Sequence, residues 1–219
     1  MTAPAVFASL PSGPLILASA SHTRQMLLAA AGIDIRLVPV AIDEAAIRQS
    51  CAAENVDPGD VAVLLAEMKA AAACARHPAG NGQLLLAADQ ILVCDGVMFG
   101  KPDDRAAAQD QLRCLQGKTH HLMTAAVIFR DGARIWHHIA KSSLQMRALD
   151  DDAINAYLDI IGDAAFWGPG SYQVEAAGIH LFSRIEGSHA AILGLPMLEI
   201  LGFLREHGLV MTPAGADDE

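Results

Sequence analysis

Alternation is the feature that most constrains the fold. Short apolar runs, "LILAS" from Leu15, "IRLVPV" from Ile35, "QLLLAAD" from Gln83 and "QILVC" from Gln90, read as strands. Alanine- and leucine-rich stretches of helical length separate them. Strands joined through helices lie parallel in one sheet. Two Asp-Gly pairs, Asp95-Gly96 and Asp131-Gly132, are tight-hairpin signals and join antiparallel neighbours instead. The expected fold is therefore α/β, a mixed, twisted sheet with flanking helices.

Local punctuation places the helices. Ser21 caps one that runs to Ala31 and is ended by Gly32. "DPGDVAVLLAEMKAAAACARHP" begins with a proline in its first turn and stops at a second proline. Residues 103–116 form a helix closed by Gly117, and another spans about 151–161. "HLMTAAVIF" and "IWHHIAKSSLQMRAL" surround the second hairpin, "GIHLFS" is a late strand, and a final helix ends near Gly208. Residues 1–13 and 211–219 read as loose ends.

A chain of 219 residues, 53% hydrophobic and 18% charged, has enough apolar material for a core as one domain of two lobes at most. Its formal charge of −10 excludes broad binding to DNA or RNA, which needs a surplus of Lys and Arg, but leaves room for one nucleotide in a cationic cleft. Cys51, Cys74, Cys94 and Cys114 form no CxxC pair and read as small buried hydrophobes of a reducing cytosol. The start lacks a basic n-region, and no apolar run is long enough to span a membrane, so a cytoplasmic location is expected.

Chemistry is sought where strands hand over to helices. In "ASASHTR" the expected helix N-terminus offers free N–H groups to an anion; Ser19 and Ser21 supply hydroxyls, and Arg24 supplies a fork for two phosphate oxygens. A plain serine cap followed by a surface arginine is the blander account of the same residues. Asp89 is expected at the end of an apolar strand, outside which α/β proteins build their sites. Glu44 follows another strand and suits a helix N-terminus. Lys69 interrupts an alanine-rich helix, and Lys101 follows a hairpin strand, although lysines at such places are usually only solvated. His120-His121 and His137-His138 are adjacent on strands, so each pair points to opposite faces and cannot easily share a metal. HExxH and GxSxG are absent.

Order is more specific than any single piece. "LILASASHTRQMLLAAAGI", "AIDE", "LAEMKA", "AADQILVCDGVMFGKP", "LQGKTHHLMTA" and "RIEGSHAAILGLP" run in sequence, and together the chain resembles the Maf family of nucleoside triphosphate pyrophosphatases, formerly described as septum-formation inhibitors. That resemblance implies two lobes around a nucleotide cleft and cleavage between the α and β phosphates, giving a nucleoside monophosphate and pyrophosphate. In the family's first motif, Ala-Ser-x-Ser-Pro-Arg/Trp-Arg, Ser19, Ser21 and Arg24 match, while His22 replaces the proline and Thr23 the variable residue. Asp89 matches the catalytic aspartate, Glu44 the acidic residue after the second strand, and Lys69 and Lys101 the phosphate-side lysines. Asp89 and Glu44 would hold Mg2+ or Mn2+, with the division between base and ligand left open. Gln90 and Glu175 resemble the 7-methyl-GTP branch, whereas a dTTP/UTP branch carries Thr and Gln there. Thr23 stands where that branch has a stacking tryptophan, which leaves Trp167 or Tyr172 as substitutes or as loop packing. A homodimer is compatible with the sequence. A non-enzymatic septation inhibitor acting through a partner, or a phosphate sensor without turnover, is the competing class.

Overall fold

The computed structural model describes residues 8–77 and 82–211. Its main sheet has the order β3-β2-β4-β6-β7-β8, with β5 paired to β4 off this path. The strands are β2 (Leu15–Leu17), β3 (Ile35–Leu37), β4 (Leu84–Cys94), β5 (Val97–Phe99), β6 (Thr119–Arg130), β7 (Ala133–Met146) and β8 (Phe182–Glu186). Strands β3, β2 and β4 are parallel, and every later pairing is antiparallel. The expected mixed sheet is thus observed. Two of its antiparallel pairings, β4 with β5 and β6 with β7, follow from the two Asp-Gly turns, in which φ is positive at both central residues (49° and 78°, 51° and 80°).

Helices α1 (His22–Ala30), α2 (Glu44–Ala53), α3 (Pro58–Arg76), α4 (Arg105–Leu115), α5 (Asp151–Ile161), α6 (His189–Ile192) and α7 (Met197–Glu206) flank the sheet. Ser21, Asp43, Asp57, Asp104, Asp150 and Ser188 each accept a hydrogen bond from a first-turn N–H, so most starts are written locally. The proline expected to stop α3 lies outside the described residues, and the helix ends at Arg76.

Strand β4 alternates between two buried faces. Leu85, Ala87 and Ile91 pack with Val61, Leu65, Ala66, Ala70 and Ala73 of α3. Leu84, Leu86 and Ala88 pack on the other face with Leu28 and with Ile200 and Leu204 of α7. A third cluster, built from Leu92, Leu112, Leu122, Leu144, Ile154 and Leu158, makes a second lobe around α4 and α5. Each fully buried leucine or isoleucine contributes about 1.5–3 kcal/mol relative to exposure.

Four expectations are corrected. Asp89 does not end a strand: β4 runs unbroken through it to Cys94, because β6 keeps pairing beyond the last β2 partner at Leu86. The segment "GIHL" is a 3-10 turn, and the strand starts only at Phe182, where pairing with β7 begins. The N-terminal stretch is not wholly loose: β1 (Ala8–Ser9) pairs with β9 (Val210–Met211), and Leu10 is buried in the α7-side core. Residues 1–7 and 212–219 lie outside the described residues. Cys51 and Cys94 are buried free thiols as expected, whereas Cys74 is half-buried and Cys114 exposed. Among the described residues no helix is long and apolar enough to cross a membrane.

Candidate active site

A cleft of about 630 Å³ runs between the two lobes, and all ten candidate site residues named from the sequence line it: Ser19, Ser21, Thr23, Arg24, Glu44, Lys69, Asp89, Gln90, Lys101 and, from the loop before the 3-10 turn, Glu175. The strand parity of β4 explains the meeting. Asp89 shares the face of Leu85 and Ala87, which looks at α3, and there it meets Lys69. Gln90, one residue on, looks at the opposite face and meets α6.

Lys69 is 8% exposed and bridges two carboxylates, with Nζ 2.5 Å from Asp89 Oδ1 and 2.7 Å from Glu44 Oε1. Its place one turn from Ala66 and Ala73 on the buried stripe of α3 explains why a lysine interrupts the alanines. Burial pushes the Asp89 carboxyl above its ordinary range; Lys69 and Arg24 oppose the shift and Glu44 adds to it. Burial also raises Glu44, but Lys69, Lys101 and Arg48 together outweigh it and hold that carboxyl below its ordinary range. Two carboxylates in one site thus differ in basicity, with the deeper one the stronger base.

Arg24 is held rather than free. Its Nε donates to Gly194 O (2.9 Å), and Nη1 donates to Ala88 O (2.8 Å) and Ser19 Oγ (3.4 Å). Burial pushes its guanidinium pKa down, against the pull of Asp89 and Glu44. The two-oxygen grip expected of Arg24 therefore reduces to Nη2, which makes no hydrogen bond among the described residues. Ser21 caps α1 through Arg24 N (3.4 Å), and Ser19 Oγ accepts from Ser21 N (3.2 Å). The bland capping account is correct as far as it goes, yet the cap forms one wall of the cleft. Lys101 is exposed at its mouth.

At the other end, Gln90 Nε2 donates to Thr124 Oγ1 (2.8 Å) and to the carbonyls of Ala191 and Ile192 (3.1 Å each). Tyr172 is buried, its hydroxyl 2.8 Å from Nε2 of His120, and burial holds that imidazole down at about 4 and hence neutral. Tyr172 therefore packs the loop. Trp167 is 66% exposed and lines the cleft together with half-buried Phe99, and of these Trp167 offers the more exposed aromatic surface to a ligand. Glu175 is exposed and lines the same cleft.

Sequence reasoning missed Arg48, which pairs with Glu44 at 3.7 Å and packs so closely over Gly100 that any side chain there would collide with it. The Glu44–Arg48 spacing of four on one helix was the available signal. Gly194, whose carbonyl orients Arg24, lies within the quoted "RIEGSHAAILGLP", but nothing in that motif marked its carbonyl as the partner of Arg24.

The family description "Maf-like protein" matches residues 14–207. The chain belongs to the Maf family. Maf-like relatives include the nucleoside triphosphate pyrophosphatase of Nitrobacter hamburgensis, 47% identical over 90% of this chain and 95% of its own length. The protein of the same name from Paramagnetospirillum magneticum is 46% identical over 88% of this chain and 98% of its own. That of Granulibacter bethesdensis is 42% identical over 88% and 96%. The Maf match thus spans both lobes and every cleft segment described above.

Proposed function

We propose that the protein is a nucleoside triphosphate pyrophosphatase that hydrolyses the α–β phosphate bond, releasing a nucleoside monophosphate and pyrophosphate, with preference for 7-methyl-GTP or another guanine nucleotide. The reading rests on one observation: buried Asp89 and Lys69 form a hydrogen-bonded cluster with half-buried Glu44 on the floor of a cleft whose walls carry Ser19, Arg24 and Lys101. Names shared by relatives at 42–47% identity support the reaction class.

Asp89, whose carboxyl is pushed upward by burial, orients the attacking water and accepts its proton. Lys69, which the family resemblance put on the phosphate side, holds Asp89 and Glu44 in place. With Lys69 engaged by carboxylates, Arg24 Nη2 and Lys101 are left to meet a triphosphate of about four negative charges. A divalent cation fits that shortfall. No group of three or more His, Cys, Asp or Glu suited to a metal occurs among the described residues, so a closed all-protein cage is not offered. Two carboxylates plus substrate oxygens and water suit Mg2+ or Mn2+. When bound, such an ion supplies charge neutralisation at the phosphates. Glu44, kept ionised, is its natural ligand, with Asp89 beside it.

At the base end Glu175 is an acceptor able to take both N1–H and the 2-amino group of guanine, a pairing that uracil and thymine lack. Gln90 points the same way, because its NH2 is occupied and its oxygen remains. A cationic 7-methylguanine would also stack on the exposed Trp167. Nucleotide chemistry of this kind fits a cytoplasmic enzyme. The test is a panel of 7-methyl-GTP, GTP, dTTP and UTP with magnesium, quantifying monophosphate and pyrophosphate. Equimolar products with guanine nucleotides ahead support the proposal. Equal or better turnover of UTP refutes the base preference, and inorganic phosphate in place of pyrophosphate refutes the bond assignment.

A further inference from the structure

Gln111, on α4, lies outside the cleft lining yet touches two of the segments that form it. Its Nε2 donates to Gly100 O (2.9 Å), immediately before Lys101. Its Oε1 accepts from Gly170 N (2.8 Å) and from Ser171 Oγ (3.4 Å), in the loop that carries Trp167 and Glu175. The amide can sit only one way round, since a carbonyl must face the NH2 and a backbone N–H must face the oxygen. The loop it grips has little freedom. Gly170 has φ +84° and Ser171 φ +60°, and a Cβ at Gly170 would lie 2.6 Å from both Leu92 and the Tyr172 ring.

We propose that Gln111 is a positioning residue that locks the Lys101 turn to the 168–175 loop, holding the phosphate end and the base end of the cleft at a fixed separation. A nucleoside triphosphate spans both ends at once, so each end aligns its part of the substrate only if the other stays in register. The kinetic side of this proposal rests on the function proposed above; the structural side does not.

Two substitutions divide the bonds. Gln111→Glu keeps the acceptor for Gly170 and Ser171 but cannot donate to Gly100. Gln111→Leu loses every bond at similar size. Amide exchange at Gly170, read by NMR in the full chain without nucleotide, should be slow in the parent and in Gln111→Glu, and faster in Gln111→Leu by about three- to tenfold, the scale of one hydrogen bond. In steady-state assays both variants should raise KM for every nucleotide by about three- to tenfold with smaller change in kcat. Only Gln111→Leu should also shrink the ratio of kcat/KM for GTP over UTP. Unchanged Gly170 exchange in Gln111→Leu overturns the clamp. The expected exchange pattern with an unmoved base ratio overturns the coupling to base selection, and it tells against the base role of the loop rather than against the clamp.

Discussion

Replacing Lys69 by methionine tests the centre of the site most directly. Lys69 Nζ is 2.5 Å from Asp89 and 2.7 Å from Glu44, so those two oxygens lie within about 5 Å of each other. The methionine stem fills most of the same space, but the two negative charges are left facing each other. At an effective dielectric constant of about 20, unit charges about 5 Å apart repel by about 3 kcal/mol. Loss of one partner from a buried pair typically costs about 3–5 kcal/mol. The Glu44 side chain is 27% exposed, which discounts this to the bottom of that range or just below it, about 2–3 kcal/mol at neutral pH. The variant escapes part of this by taking up a proton, which means a folded-state carboxyl pKa above the unfolded one. A carboxyl raised in this way binds more protons folded than unfolded, so its contribution to stability is present at low pH and is lost as pH rises through the folded value. The deficit against the parent should therefore be largest near pH 7.5 and shrink by pH 5. Urea denaturation of both proteins in chelator, at those two pH values, measures it; unchanged m keeps the comparison one of stability. A deficit below about 0.5 kcal/mol, or one equal at both pH values, would refute the argument that Lys69 holds two ionised acids apart.

Asp89→Asn is nearly isosteric and should fold while losing at least about a hundredfold in kcat; near-parental turnover would remove Asp89 from the chemistry. Chelation of divalent ions should abolish turnover and added Mg2+ or Mn2+ restore it, whereas full activity in chelator would show that Arg24 and Lys101 suffice for the phosphates. Glu175→Gln should erode the preference for guanine nucleotides over UTP by about ten- to two-hundredfold in relative kcat/KM, and an unchanged ratio would place Glu175 outside base selection.

Much of this protein is decided within a few residues along the chain. The turns at Asp95-Gly96 and Asp131-Gly132 need positive φ at two successive positions, and Asp-Gly supplies it without help from any neighbour. The starts of α1, α3, α4 and α5 are set by caps that bond two or three residues on. Helix and strand identities, the mixed sheet and the roll of cleft residues were therefore legible, the last through ordered motifs rather than through any one residue. Tertiary structure decided what those residues do to one another. Whether β4 stops at Asp89 depends on β6, which pairs with it through Val93 and is contributed by residues about 30 positions later. Phe182 begins a strand because β7 reaches Met146 beside it, while the residues before it lie past the end of β7 and turn instead. The engagement of Lys69 by Asp89 and Glu44, the capture of Arg24 by Gly194 and the burial of Tyr172 against His120 join segments 20 to 170 residues apart. Charge, basicity and orientation in the cleft arise from such distant contacts, because they depend on which groups share a desolvated volume, and local spacing does not encode that.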